Sequence, residues 1–135
     1  MREVILESVY AYNNRHQILW DLLLERDESV NISHRQMPTW DQHQEFIESR
    51  PYKSWYFVCD PSPVGACYLT NADEIGAFIF KQHHKKGYGR FAIKQIMELH
   101  GKRRYLANIA PQNDPSRFLF TGLGFKLLQN TYVHE

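Results

Sequence analysis

Long apolar runs are missing from this chain. Nothing approaches the ~18 consecutive apolar residues of a helical membrane span, so no membrane partner is expected. Cysteine is scarce, two in 135 residues. Cys59 and Cys67 fall in neighbouring strand-like runs without metal-ligand spacing. They read as reduced, buried thiols of a cytoplasmic protein and not as a disulfide framework. Histidine is more frequent, at seven, but no pair brackets a Glu at i, i+4, and no metal is expected. Charge of one sign is lacking too. Sixteen Lys and Arg oppose fifteen Asp and Glu, for a net +1, which gives no global attraction to nucleic acid. Any anion site must therefore be a local arrangement of donors. Seven Gly and six Pro are too few for a collagen-like or low-complexity chain.

What is present fits one domain over residues 1–135 with a real core. The opening "MREVILESVYAY" has acidic residues inside its apolar part and no small-residue cleavage pattern, so it reads as a strand over Glu3–Tyr10 and not a signal peptide. Asn13 or Asn14 then caps a helix with Ile18, Leu19, Leu22 and Leu23 on one face, ending near Arg26. "DESVNISHRQMP" breaks the periodicity and is a loop. Thr39 and Gln42 form a capping box for a helix that aligns Trp40, His43 and Ile47. "KSWYFVCD", "VGACYLT" and "EIGAFIF" are three strands joined by the turns "DPSP" and "NAD", a meander. A helix from Tyr88 to Leu99 turns Ala92, Ile96 and Leu99 to one side and stops at Gly101. "RRYLANIA" is a further strand, "NDPSRFLF" a short helix with Pro in its first turn, and "FKLLQNTYVHE" one or two last strands. The class is α/β (α+β), with helices on both faces of one mostly antiparallel sheet.

One corner stands apart. "KQHHKKGYGRF", Lys81 to Phe91, leads from a strand into a helix with two lysines and two glycines at the junction. A helix start offers unpaired N–H groups and the positive end of a dipole. Gly87 and Gly89 let backbone approach an oxygen-rich ligand, and Lys85, Lys86 and Arg90 surround it with positive charge. This reads as a pyrophosphate cradle; the plain alternative is a tight turn with solvated lysines. It is neither a P-loop, lacking Gly-Lys-Ser/Thr, nor a dinucleotide fingerprint, lacking the third glycine.

"HKKGYG", followed at the proper distance by "NDPS" and "GLGF", resembles the GCN5-related N-acetyltransferase (GNAT) superfamily over essentially the whole length. The resemblance implies a splay between the fourth and fifth strands and an acetyl-coenzyme A donor. Its pantetheine arm would bond main chain around Ala77, Phe78 and Ile79, with the amide of Phe78 or Ile79 polarising the acetyl carbonyl. The diphosphate would rest on the amides of Lys85, Lys86, Gly87, Tyr88, Gly89 and Arg90, and Asn113 would hold the arm from the other side. Two positions depart from the pattern. His84 stands where the family carries Gln or Arg, and Phe120 where it often carries a Tyr that protonates the leaving thiolate. Ser116 is the replacement candidate for that contact, with Tyr132 behind it.

Glu74 opens the strand before the cradle, where some relatives carry a catalytic glutamate, and is the candidate base. Asn108 occupies the position of other members' base and would place a water or the substrate. His34, Arg35, Trp40, Asp41 and His43 would line the acceptor side, with His43 reading better as a core histidine. The expected activity is acetyl transfer to the primary amine of a small molecule such as an amino sugar, amino acid or polyamine. The alternatives are a protein N-terminal acetyltransferase or a non-catalytic acyl-coenzyme A binder. A homodimer through the last strands is compatible with the sequence.

Overall fold

The computed structural model describes residues 3–26 and 37–135. Its centre is a four-stranded antiparallel sheet in sequential order, β1 (Ile5–Ser8), β2 (Ser54–Cys59), β3 (Pro63–Leu69) and β4 (Ile75–Ile79). The turn chemistry of "DPSP" and "NAD" joins neighbours directly, so the order along the sheet is the order along the chain. β3 is buried on both faces, Val64, Ala66, Cys67 and Leu69 all being core residues, which is why "VGACYL" is apolar without alternation.

Helices cover the two faces. α1 (Arg15–Leu24) and α2 (Trp40–Glu48) lie on one, where Leu19, Leu22 and Ile47 pack with Val9, Phe57, Cys59 and Ala66. α3 (Tyr88–His100) lies on the other, where Ala92, Ile93 and Ile96 pack with Val58, Cys67, Leu69 and Ile75. α4 (Asp114–Gly122) adds Phe120 to that second core. The capping box at α2 is complete, with Gln42 N–H donating to Thr39 Oγ1 and Thr39 N–H to Gln42 Oε1. At α1 the cap position is Asn14, whose side chain makes no capping bond.

Three expectations are corrected. Leu99 is exposed, and the buried stripe of α3 is Tyr88, Ala92, Ile93 and Ile96, one residue position around the helix. "RRYLANIA" pairs with the sheet at a single parallel bridge, Glu74 to Leu106, and is not otherwise strand. The last segment, 125–135, forms no strand; its apolar residues Leu127, Leu128, Tyr132 and Val133 are all exposed. Alternation alone makes no strand where no neighbouring edge accepts the hydrogen bonds.

Candidate active site

At the corner before α3, Lys85 and Gly87 both have positive φ, 64° and 84°. Alternating left-handed residues turn successive N–H groups to one side and form an anion-binding nest. Gly87 takes this conformation without the steric penalty borne by Lys85. Among the described residues the backbone amides of Lys85, Lys86, Gly87, Gly89 and Arg90 donate to no protein acceptor. The positive end of α3 points at the same place, and the side chains of Lys85, Lys86 and Arg90 are exposed around it. Tyr88 faces the other way. Its ring is buried and its hydroxyl donates to Asp60 Oδ2 in the β2–β3 turn, tying the corner to the sheet.

The edge of β4 leads to that corner. Thr70 N–H donates to Glu74 O and Phe80 N–H to Val64 O, so the even-numbered residues of β4 direct their peptide groups at β3. The odd-numbered ones face outward: Ile75 N–H donates to Leu106 O at 2.7 Å. Beyond that bond no backbone hydrogen bond joins β4 to residues 107–110 among the described residues. The outward peptide groups of Ala77 and Ile79 are thus left without a strand partner. Phe78 is a correction, because its main chain pairs with Ala66 and offers nothing to this edge. His84 is engaged at the same edge. Its Nε2–H donates to Ile79 O at 2.7 Å, so its ring donor is committed to β4 and that carbonyl is occupied.

Side chains on β4 alternate between the two cores, Ala77 and Ile79 toward α3, Phe78 toward α1 and α2. Glu74 shares the face of Phe78. Its carboxylate accepts from Asn108 Nδ2 across the gap and from Thr70 Oγ1 at 3.4 Å. Glu74 and Asn108, singled out separately in the sequence, therefore meet.

On the far side of the gap, Asn113 is the N-cap of α4, its Oδ1 accepting from Ser116 N–H at 3.3 Å. That leaves the Asn113 amide nitrogen to donate elsewhere. The Ser116 hydroxyl is unbonded among the described residues. Phe120 is buried in the core and packed edge-on to Phe125. Tyr132 is 89% exposed, away from any core contact.

The acceptor-side candidates separate. His34 and Arg35 lie outside the described residues. Trp40 and His43 belong to an aromatic cluster with Trp20 and His16 at the start of α2. His43 is buried at 3% exposure and its Nε2–H donates to His16 O at 2.8 Å, which makes it a satisfied core histidine. Asp41 sits in the first turn of α2, favourably placed for the helix dipole.

Two residues unforeseen in the sequence, Tyr68 and Tyr52, stack on one another beside Gly76. Tyr68 is the cross-strand partner of Gly76, and a Cβ at Gly76 would lie 2.5 Å from the Tyr68 hydroxyl. Tyr52 stacks on the Tyr68 ring at 4.6 Å between centroids. Burial, above all, raises both phenol pKa values, that of Tyr52 to about 12. No sequence signal marks the pair, because residues 16 apart meet only through the β2–β3 register. Among the described residues no three His, Cys, Asp or Glu side chains could share a metal ion, and no helix is long and apolar enough to cross a membrane.

A family profile for the acetyltransferase (GNAT) domain matches residues 8–126. No curated protein matches in sequence. Among solved structures, the chain is similar to mutant forms of the spermidine/spermine N-acetyltransferase SpeG from Vibrio cholerae, with a TM-score of 0.72 and 16% identity over 91% of this chain and 79% of that one. It is also similar to an N-acetyltransferase from Staphylococcus aureus Mu50, with a TM-score of 0.67 and 15% identity over 93% and 84%. A Trypanosoma brucei acetyltransferase is a more distant third, with a TM-score of 0.59 and 11% identity over 100% and 99%. Identities this low establish a shared fold.

Proposed function

The chain belongs to the GNAT acetyltransferases, an acyltransferase family, and on that premise we propose that it acetylates the primary amine of a small molecule from acetyl-coenzyme A. The observation that carries this reading is the conjunction of the amides of Lys85, Lys86, Gly87, Gly89 and Arg90, which donate to no acceptor among the described residues, with a β4 edge that lacks a strand partner at Ala77 and Ile79. A nest of amides beside three cations fits a diphosphate, and outward peptide groups fit an amide-bearing arm.

When bound, the donor supplies an acetyl group activated as a thioester. The amides of Lys85, Lys86, Gly87, Tyr88, Gly89 and Arg90 hold its diphosphate. Ala77 and the N–H of Ile79 hold its arm, with the Asn113 amide opposite. The Glu74 carboxylate accepts a proton from the acceptor amine, and Asn108 fixes the carboxylate's orientation. Ser116 Oγ donates a hydrogen bond toward the sulfur. Orientation contributes much of the rate, since alignment of two reactants is worth ~7–11 kcal/mol in favourable cases. A polyamine is one acceptor within the proposed class, in keeping with the name of the Vibrio cholerae structure. Two free, buried cysteines suit a cytoplasmic setting.

The test is release of free thiol from acetyl-coenzyme A across a panel of polyamines, amino sugars, amino acids and peptides, alongside calorimetric titration of the donor. Turnover of a small amine is expected; donor binding without turnover of any amine overturns the proposed reaction. Glu74→Gln is expected to lower kcat about a hundredfold while leaving donor affinity intact. Gly89→Val is expected to weaken donor binding, because its Cβ would already stand 3.0 Å from Leu119 Cδ1 and its branches would screen the amides. Unchanged turnover in Glu74→Gln removes that residue from the mechanism.

A further inference from the structure

We infer that the Tyr68 hydroxyl binds and orients the acceptor nitrogen, with Tyr52 as the residue that positions Tyr68; this rests on the acetyl-transfer reading above. The geometry begins with Gly76. Tyr68 and Gly76 face each other across β3 and β4, and the absent side chain at Gly76 lets the phenol fold down over β4. Its hydroxyl, Cζ and Cε1 would lie 2.5, 2.6 and 2.9 Å from a Cβ there. The hydroxyl therefore occupies the face of β4 that carries Glu74 on one side and Phe78 on the other. Among the described residues it makes no hydrogen bond, and the half-buried phenol keeps its oxygen available to a ligand.

Tyr52 holds this placement. Its ring lies nearly parallel to that of Tyr68, at 17° and 4.6 Å, and is braced edge-on by Trp55 at 4.8 Å and Phe46 at 5.9 Å. A ring so wedged has one orientation, so the hydroxyl is fixed before any ligand arrives. A phenol is protonated through the neutral range and burial raises its pKa further, leaving its oxygen lone pairs as acceptors. A neutral primary amine has two N–H groups and one lone pair. With one N–H donating to Tyr68 Oη and the other to the Glu74 carboxylate, the lone pair is left pointing away from both. That orients the nucleophile before reaction.

Kinetics of Tyr68→Phe with the best amine of the panel test the inference. The expected result is a roughly tenfold loss of kcat/KM for the amine, the fold-change for one hydrogen bond worth ~1.4 kcal/mol, with KM for acetyl-coenzyme A and thermal midpoint little changed. Tyr52→Leu should reproduce part of that loss, and Tyr52→Phe should restore most of it, because only the ring face is used. Ultraviolet difference spectroscopy gives a second readout: addition of the amine should perturb tyrosine absorbance in the wild type and much less in Tyr68→Phe. A Tyr68→Phe enzyme within twofold of wild type overturns the inference and leaves the acetyl-transfer reading standing. An equal loss in the KM values of both substrates also overturns it, by showing a structural role. Absence of any wild-type turnover overturns both.

Discussion

His43 and Glu74 show how differently one face of the sheet treats its polar side chains. His43 is enclosed by Trp20 and Trp40 and hydrogen-bonded to the His16 carbonyl. Burial, and then the neighbouring His16, hold its pKa below the usual 6.5, against the carbonyl bond that raises it. The folded chain thus keeps His43 neutral at a pH where the unfolded chain protonates it. The stability it contributes is present in full above 6.5 and is lost as the pH falls toward and through the depressed folded value. We expect the urea midpoint to fall between pH 7.5 and pH 5.5, and to fall less in His43→Gln, which retains an N–H for the His16 carbonyl. Equal losses in the two proteins would assign the acid sensitivity to other groups, such as His100, which burial also lowers. Glu74, by contrast, is only partly buried and keeps its carboxylate at the gap.

At the scale of elements, the proposed donor contact would couple the folding of α4 to donor binding through one side chain. Asn113 caps the helix with its oxygen and has its nitrogen free for the proposed donor contact. Asn113→Ala should cost about 1 kcal/mol of stability and weaken donor binding. Asn113→Asp keeps a capping oxygen and removes the N–H donors, so it should retain the stability and still lose affinity. Urea unfolding and calorimetry on the two variants separate the roles; parallel changes in both would leave Asn113 as a cap alone. The elements themselves were readable where periodicity met a partner. The meander, the capping box at Thr39 and the helix after Gly87 follow from turn residues, caps and apolar spacing. "RRYLANIA" was half legible. Its alternation correctly buries Tyr105, Ala107 and Ile109 against the α3-side core, but a burial pattern says nothing about whether the neighbouring peptide groups pair. Segment 125–135 packs Phe125 on the core, but beyond it Leu127, Leu128, Tyr132 and Val133 stay exposed. Tyr52 and Tyr68 were illegible because neither lies in a motif, and their contact exists only once β2 and β3 are in register. The edge-on contact of Trp40 with Trp20 was illegible for the same reason, since no motif links α1 to the start of α2.

Across the whole molecule, charge is nearly balanced, yet Lys85, Lys86 and Arg90 cluster at one end of one helix. At the proposed anion site, attraction for a polyanionic donor would be local and short-ranged, since exposed charges are screened within about 8–10 Å at physiological salt. KM for acetyl-coenzyme A should rise several-fold between 50 mM and 500 mM salt (roughly, from that screening), with kcat little affected; a salt-independent KM would argue against the cationic corner as the anion site. The β4 edge has a different sensitivity. Peptide groups are chemically alike under almost every side chain, so a channel walled by them tolerates wholesale replacement of the residues that build it, proline excepted. Such a channel leaves little trace in aligned letters. A lineage can rewrite most of its text around it and still grip the same handle.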